Sequence, residues 1–206
     1  MGREPTSHER RTGRPWDASY EDGPAPWDFG GPQPAFVRAA DDGGFTGEVL
    51  DAGCGSGENA LLVADRGLHV LGVDVAETAL SRAREKAAGQ GLAAEFVTAD
   101  ALHLEALGRR FDTVLDSGLL HTFDAAERAR YVASLAAATN PGGTLYVLCF
   151  SDAGPDTGPH PVTEAELREV FTPDTGWRLA SLERERVHTR FHEHDAPGWF
   201  ATVQRL

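Results

Sequence analysis

A glycine run, a set of strand-end carboxylates and one histidine are the residues whose types and spacing suit chemistry. Val49-Leu50-Asp51-Ala52-Gly53-Cys54-Gly55-Ser56-Gly57 sets three glycines at alternate positions after a short apolar run. Such a loop turns sharply and lets a ligand approach with no Cβ in the way. Asp74 ends the next apolar run, 21 positions after Gly53. A carboxylate at about that distance suits the two hydroxyls of a ribose. Together these point to a ligand that carries a nucleoside, with NAD still among the candidates. Asp116 and His121 follow a later apolar run. A free imidazole titrates near neutrality, so His121 suits general-base work, with Asp116 orienting it or acting as the base. The plainer alternative is a histidine that orders its loop or builds the pocket.

These residues sit in an alternation of short strands and helices. Strands are expected over 48–50, 69–73, 95–98, 111–115 and 144–150, and helices over 59–66 and 77–88. Asp124-x-x-Glu127 and Val162-Thr163-x-x-Glu166 have the form of capping boxes and open two more helices. Two long strands over 177–187 and 199–206 have no helix between them and should pair antiparallel. The pattern predicts an α/β fold: one doubly wound, mostly parallel seven-stranded sheet with an antiparallel C-terminal strand. In such sheets ligands bind beyond the carboxyl ends of the strands, at the switch point.

Residues 1–15 are polar and charged and read as a disordered tail. Residues 16–46 read as a strap followed by a helix, with Trp16, Tyr20 and Trp27 set among prolines and glycines. Such a strap either packs on the domain or covers a pocket. Residues 47–206 form the domain itself. The chain carries 32 acidic and 19 basic residues, a net charge of −13. That balance disfavours nucleic acid, whose phosphates need clustered Lys and Arg. The longest clean apolar run, Leu145–Phe150, has six residues, far short of the roughly 20 that span a bilayer. Neither a membrane partner nor a secretory leader is expected, and the protein should be cytoplasmic, a monomer or a homodimer. Cys54 and Cys149 suggest neither a disulfide framework nor zinc. His188, His192 and His194 read as a solvated hairpin loop, so no metal is expected.

Four pieces in this order, VLDAGCGSGENAL, VLGVDVAETAL, FVTADAL and FDTVLDSGLLHTF followed by NPGGTLYVL, make the chain resemble the class I S-adenosylmethionine-dependent methyltransferases. The resemblance covers about residues 47–150 closely and implies the Rossmann-like methyltransferase fold and S-adenosylmethionine as cofactor. It implies that Asp51, Gly53, Cys54, Gly55 and Gly57 line the methionine half of the cofactor. It also implies that Asp74 and Val75 hold ribose and adenine, that Asp100 and Ala101 flank the adenine, and that Asp116 and Ser117 lie near the sulfonium. PWDFGGPQPAFV and SGLLHTF look like the small-molecule branch, which includes thiopurine, thiol, halide and heterocyclic-toxin methyltransferases. That likeness puts Trp27 against the cofactor and Tyr20, Asp28 and His121 against a small aromatic, heterocyclic or thiol acceptor. The competing readings are a nucleotide-dependent oxidoreductase and a catalytically silent partner subunit.

Overall fold

The structure, a computed structural model, describes residues 3–154, 160–193 and 195–206. Seven strands form one sheet: β1 (Val49–Ala52), β2 (Val70–Asp74), β3 (Glu95–Thr98), β4 (Phe111–Ser117), β5 (Thr139–Phe150), β6 (Trp177–Val187) and β7 (Ala196–Arg205). Their spatial order is β3-β2-β1-β4-β5-β7-β6. β7 runs antiparallel to both β5 and β6, while β1 to β5 pair parallel. Among the described residues the α-helices are α1 (Ser7–Thr12), α2 (Pro34–Asp41), α3 (Glu58–Asp65), α4 (Glu77–Gln90), α5 (Ala125–Ala138) and α6 (Glu164–Val170).

Both faces of the sheet are covered, which is why all four residues of β1 are buried. On one face Tyr131 and Leu135 of α5 and Leu167 of α6 pack with Phe111, Leu145 and Trp177. On the other, Phe36 of α2, Ala60 and Val63 of α3 and Leu80 and Ala83 of α4 pack on Val49 and Leu115. The chain leaves β1 towards β2 and β3 and returns on the other side to β4, so the connections that follow β1 and β4, to α3 and α5, part at the carboxyl ends of the strands onto opposite faces. That crevice is the switch point. Among the described residues no helix is long and apolar enough to cross a membrane.

Two expectations change. The fifth strand, expected over 144–150, begins earlier: β5 starts at Thr139 and takes in Asn140-Pro-Gly-Gly143, and the register shifts between Phe111 and Thr113. Asn140 secures the irregularity by donating to Asp112 Oδ1 at 2.8 Å. The expected disordered tail instead contains α1. Thr6 and Glu9 close a capping box around it, and Thr6 N donates to Glu9 Oε2 at 2.8 Å. The helix then docks on the start of α5, where buried Glu127 accepts from Ser7 N at 2.6 Å and Ser7 Oγ accepts from Asp124 N at 3.2 Å. Two helix starts satisfy each other's unpaired amides there.

Candidate active site

The glycine loop joins β1 to α3 at the switch point. Gly55 has φ of +51°, and a Cβ on it would stand 2.8 Å from Tyr20 Oη. Only glycine therefore fits between the strap and the loop. Asp74 ends β2 beside it. Asp74 Oδ2 accepts from Gly55 N and Oδ1 from Ala76 N, each at 2.9 Å. One lone pair on each oxygen remains for a ligand. Burial raises the Asp74 pKa, and the amides of Ala76, Gly55 and Val75 oppose that rise. Asp100 follows β3, where its Oδ1 accepts from Leu102 N at 3.0 Å and caps the 3₁₀ turn Ala101–Leu107.

A cavity of about 370 Å³ opens over these strand ends. Gly53, Cys54, Gly55, Asp74, Val75, Asp100, Ala101, Ser117 and His121 line it, as do Tyr20, Trp27 and Asp28 from the strap. Residues far apart in the chain are thus brought to one wall. The strap is fixed above them. Asp17 caps α4 by accepting from Thr78 N and Thr78 Oγ1, each at 2.8 Å. Trp27 Nε1 donates to Tyr20 Oη at 3.2 Å. Trp16 stacks on His8 with centroids 4.3 Å apart and meets Trp27 edge-on at 5.7 Å.

Three expected site residues do not reach the cavity. Gly57 starts α3 with φ of +86°, and a Cβ there would strike Ala83 Cβ at 2.8 Å. It lets α3 and α4 approach and touches no ligand space. Asp51 is fully buried beneath the loop, and neither oxygen completes a hydrogen bond with a described residue. Burial pushes its pKa up to about 7; the Ala60 amide opposes this, and the fields of Asp74 and Asp116 add to it. Asp116 is also fully buried, its pKa raised by burial to about 6. Its oxygens accept from Leu119 N at 2.9 Å and Leu120 N at 3.1 Å, so it caps the turn after β4 and does not face a substrate.

His121 is on the wall but not free. Its Nδ1 accepts from Phe150 N at 3.3 Å, and its ring lies 4.3 Å from that of Phe150. Burial is the main cause that lowers its pKa to about 3. A group held neutral in this way is a poor general base.

The cavity has a second, aromatic half that the sequence reading left largely unassigned. Phe29, Phe150, Val187, Thr189 and Phe191 line it. The loop between β6 and β7 closes on the strap there: Gln33 Nε2 donates to His188 O at 2.8 Å, and His188 N donates to Gln33 Oε1 at 3.0 Å. Arg190 N adds a bond to Pro26 O at 3.0 Å. Trp27 and Phe191 are 36% and 44% exposed although both line the cavity, which puts them at its mouth. Among the described residues no group of His, Cys, Asp and Glu has the arrangement of a metal site, and His194 lies outside them.

Comparison with known proteins agrees with this geometry. Residues 49–143 match the family described as a methyltransferase domain. The chain is 42% identical to the 2-heptyl-1-hydroxyquinolin-4(1H)-one methyltransferase of Mycobacteroides abscessus, over 79% of this chain and 73% of that protein. It is 29% identical to a probable thiol methyltransferase of Arabidopsis thaliana, over 77% of this chain and 71% of that protein. Among solved structures it resembles one from the conversion of a disulfide bond into a thioacetal group during echinomycin biosynthesis. That likeness has a TM-score of 0.82 and 37% identity, and covers 92% of this chain and 91% of the other. It also resembles the 1,6-didemethyltoxoflavin N1-methyltransferase of Burkholderia thailandensis, solved with bound 1,6-didemethyltoxoflavin and S-adenosylhomocysteine. There the TM-score is 0.76 and the identity 25%, over 100% of this chain and 92% of the other.

The open glycine loop and the two carboxylates with spare lone pairs fit S-adenosylmethionine, and the chain belongs to the class I S-adenosylmethionine-dependent methyltransferases.

Proposed function

We propose that this methyltransferase acts on a small, flat aromatic or heterocyclic acceptor, one bearing a thiol included, in detoxification or secondary metabolism. The observation that carries the reading is the aromatic half of the cavity, walled by Phe29, Phe150 and Phe191 next to the glycine loop. Aromatic walls with few placed polar groups suit a flat apolar ligand. Every charged side chain on the cavity wall is already engaged among the described residues. Arg3 pairs with Glu9, Asp28 with Ser56 and Glu58 with Lys86, while Asp74 and Asp100 accept from backbone amides. The wall therefore offers no spare cation to a small inorganic anion. The hydroxyquinolone and toxoflavin relatives support the same class of acceptor.

Asp74 is assigned to the ribose hydroxyls, Val75, Asp100 and Ala101 to the adenine, and Gly53, Cys54, Gly55 and Ser117 to the methionine end. Asp51 and Gly57 support that loop from behind. Bound S-adenosylmethionine supplies an electrophilic methyl group on a sulfonium. What the chain contributes is alignment of the acceptor and exclusion of water, the main requirements of an in-line displacement. Tyr20, Trp27 and Asp28 serve that exclusion from the strap, and Trp27 and Phe191 guide the acceptor at the mouth. The assignment to the cytoplasm is in keeping with two unpaired cysteines, Cys54 and Cys149.

A mass-spectrometric screen of N-heterocycles, phenols, thiols and halides with S-adenosylmethionine tests the reading. Methylated heteroaromatic products are expected. Turnover of halide or thiocyanate alone, or of none of these, would refute the proposed acceptor class.

A further inference from the structure

We propose that His121 is a hydrogen-bond donor to the acceptor, and that the methylated ring carries a lone-pair group, an oxo or an imine, to receive that bond. The inference rests on the heteroaromatic reading above and gives it a chemical signature.

It starts from a backbone amide. β4 ends at Ser117, and its ladder with β5 closes with Gly118 N donating to Leu148 O at 2.8 Å. Phe150 N lies past that end, where a buried N–H needs a partner. His121 Nδ1 accepts it at 3.3 Å. A neutral imidazole that accepts at Nδ1 carries its proton on Nε2. Nε2 has no partner among the described residues and is not sealed off, and His121 lines the cavity. The ring is fixed against Phe150 at 4.3 Å with the planes 32° apart. A single N–H is thus held at a defined place on the wall.

The same bond disfavours the base role. A base needs a bare Nε2, which in the neutral ring puts a proton on Nδ1, opposite the Phe150 N–H. The imidazolium formed after proton transfer has the same two donors face to face. The groups whose fields reach the ring are Arg128 on α5, His160 and His8 on α1, and all three oppose a positive charge. Asp116 gives no help: it is not among the groups whose fields reach the ring, and it is turned to Leu119 N and Leu120 N.

The acceptor therefore reaches the site already ionised or with a bare lone pair. Its nucleophilic atom gains the methyl carbon, the donor's carbon–sulfur bond breaks, and the electron pair stays on sulfur. For an anionic acceptor the two charges cancel and no proton needs a destination. The class is a ring with an oxo or imine group and an acidic N–OH, N–H or S–H.

The test compares two acceptors, both fully ionised over the working range: an oxo-heterocycle and the same ring without the oxo group. His121→Phe also orphans the Phe150 N–H and disturbs both reactions alike, so the readout is the difference: kcat/KM for the oxo ring should fall roughly tenfold or more beyond the fall for the other. His121→Gln, which can present an N–H near the place of Nε2, should recover much of the loss. At saturating S-adenosylmethionine, so that protonation of Asp51 behind the glycine loop does not register, the wild-type rate should be flat down to about pH 5.5, below the ordinary imidazole value. Nitrogen-15 spectra of the unliganded protein should show the proton on Nε2 and need no variant. Equal losses for both rings, a rate that falls tenfold per unit below about pH 6.5, or a proton on Nδ1 would each overturn the proposal. Should the wild type methylate neither ring, the heteroaromatic reading fails instead, and the nitrogen-15 result still decides the tautomer.

Discussion

Asp51→Asn should make the unliganded protein more stable at alkaline pH, although it changes a carboxylate directly beneath the glycine loop. Asp51 is fully buried beneath the glycine loop with no completed hydrogen bond to a described residue, and its pKa is pushed up to about 7 from an ordinary 3.8. The folded chain thus holds this proton where the unfolded chain has released it. The native state loses stability as pH rises from about 4 through about 7. At 1.36 kcal/mol per pKa unit the penalty is about 2 kcal/mol at pH 5 and about 4 kcal/mol at pH 8. Asparagine keeps the shape and cannot ionise, but it leaves a buried amide N–H₂ to satisfy, at a cost of about 1–3 kcal/mol. The variant should therefore gain about 1–3 kcal/mol at pH 8 and roughly nothing at pH 5. Urea unfolding at both pH values, without cofactor, measures this. The gain should come with weaker binding of the cationic donor, because a negative charge behind its loop is gone. An identical stability difference at the two pH values would refute the reasoning, since the effect would then owe nothing to ionisation.

Asp74→Ala should weaken S-adenosylmethionine by about tenfold or more, at about 1.5–3 kcal/mol for a charged hydrogen-bonding partner; calorimetry checks this, and an unchanged Kd removes the ribose assignment. Deleting residues 1–14 should raise the KM for the cofactor, because Arg3, Thr6 and His8 line the cavity and Ser7 ties α1 to Glu127; unaltered kinetics would mean that α1 is not part of the roof. Hydrogen exchange over residues 16–28 should slow when cofactor product and acceptor bind, because the strap has few regular backbone bonds of its own; identical exchange in both states would rule out the strap as a cover.

The parts of the site that lie within one strand and its following turn were legible in the sequence. Gly53 to Gly55, Asp74 and Asp100 each follow a short apolar run, and the sheet order then gathers them at one crevice. Gly57 and Asp116 belong to the same motifs, yet their work is to admit Ala83 and to cap a turn. A motif cannot separate a glycine that faces a ligand from one that faces a helix. The bond from Phe150 to His121 joins residues 29 positions apart and exists only because β4 stops before β5 does. Gln33 and His188, 155 positions apart, meet only once the loop after β6 folds against the start of α2, so the aromatic half had no local signal. The first helix did have one. Thr6-x-x-Glu9 is a capping box, but charge and proline around it read as disorder until Glu127 supplied the partner.

The most direct test of the whole arrangement is a crystal structure with S-adenosylhomocysteine and a heteroaromatic acceptor bound together. Asp74 should hold the ribose, Ser117 should lie beside the sulfur, and the acceptor ring should rest among Phe29, Phe150 and Phe191 with an oxo or imine group at His121 Nε2. An acceptor bound outside that aromatic half, or a nucleoside away from Asp74, would contradict the division of the cavity.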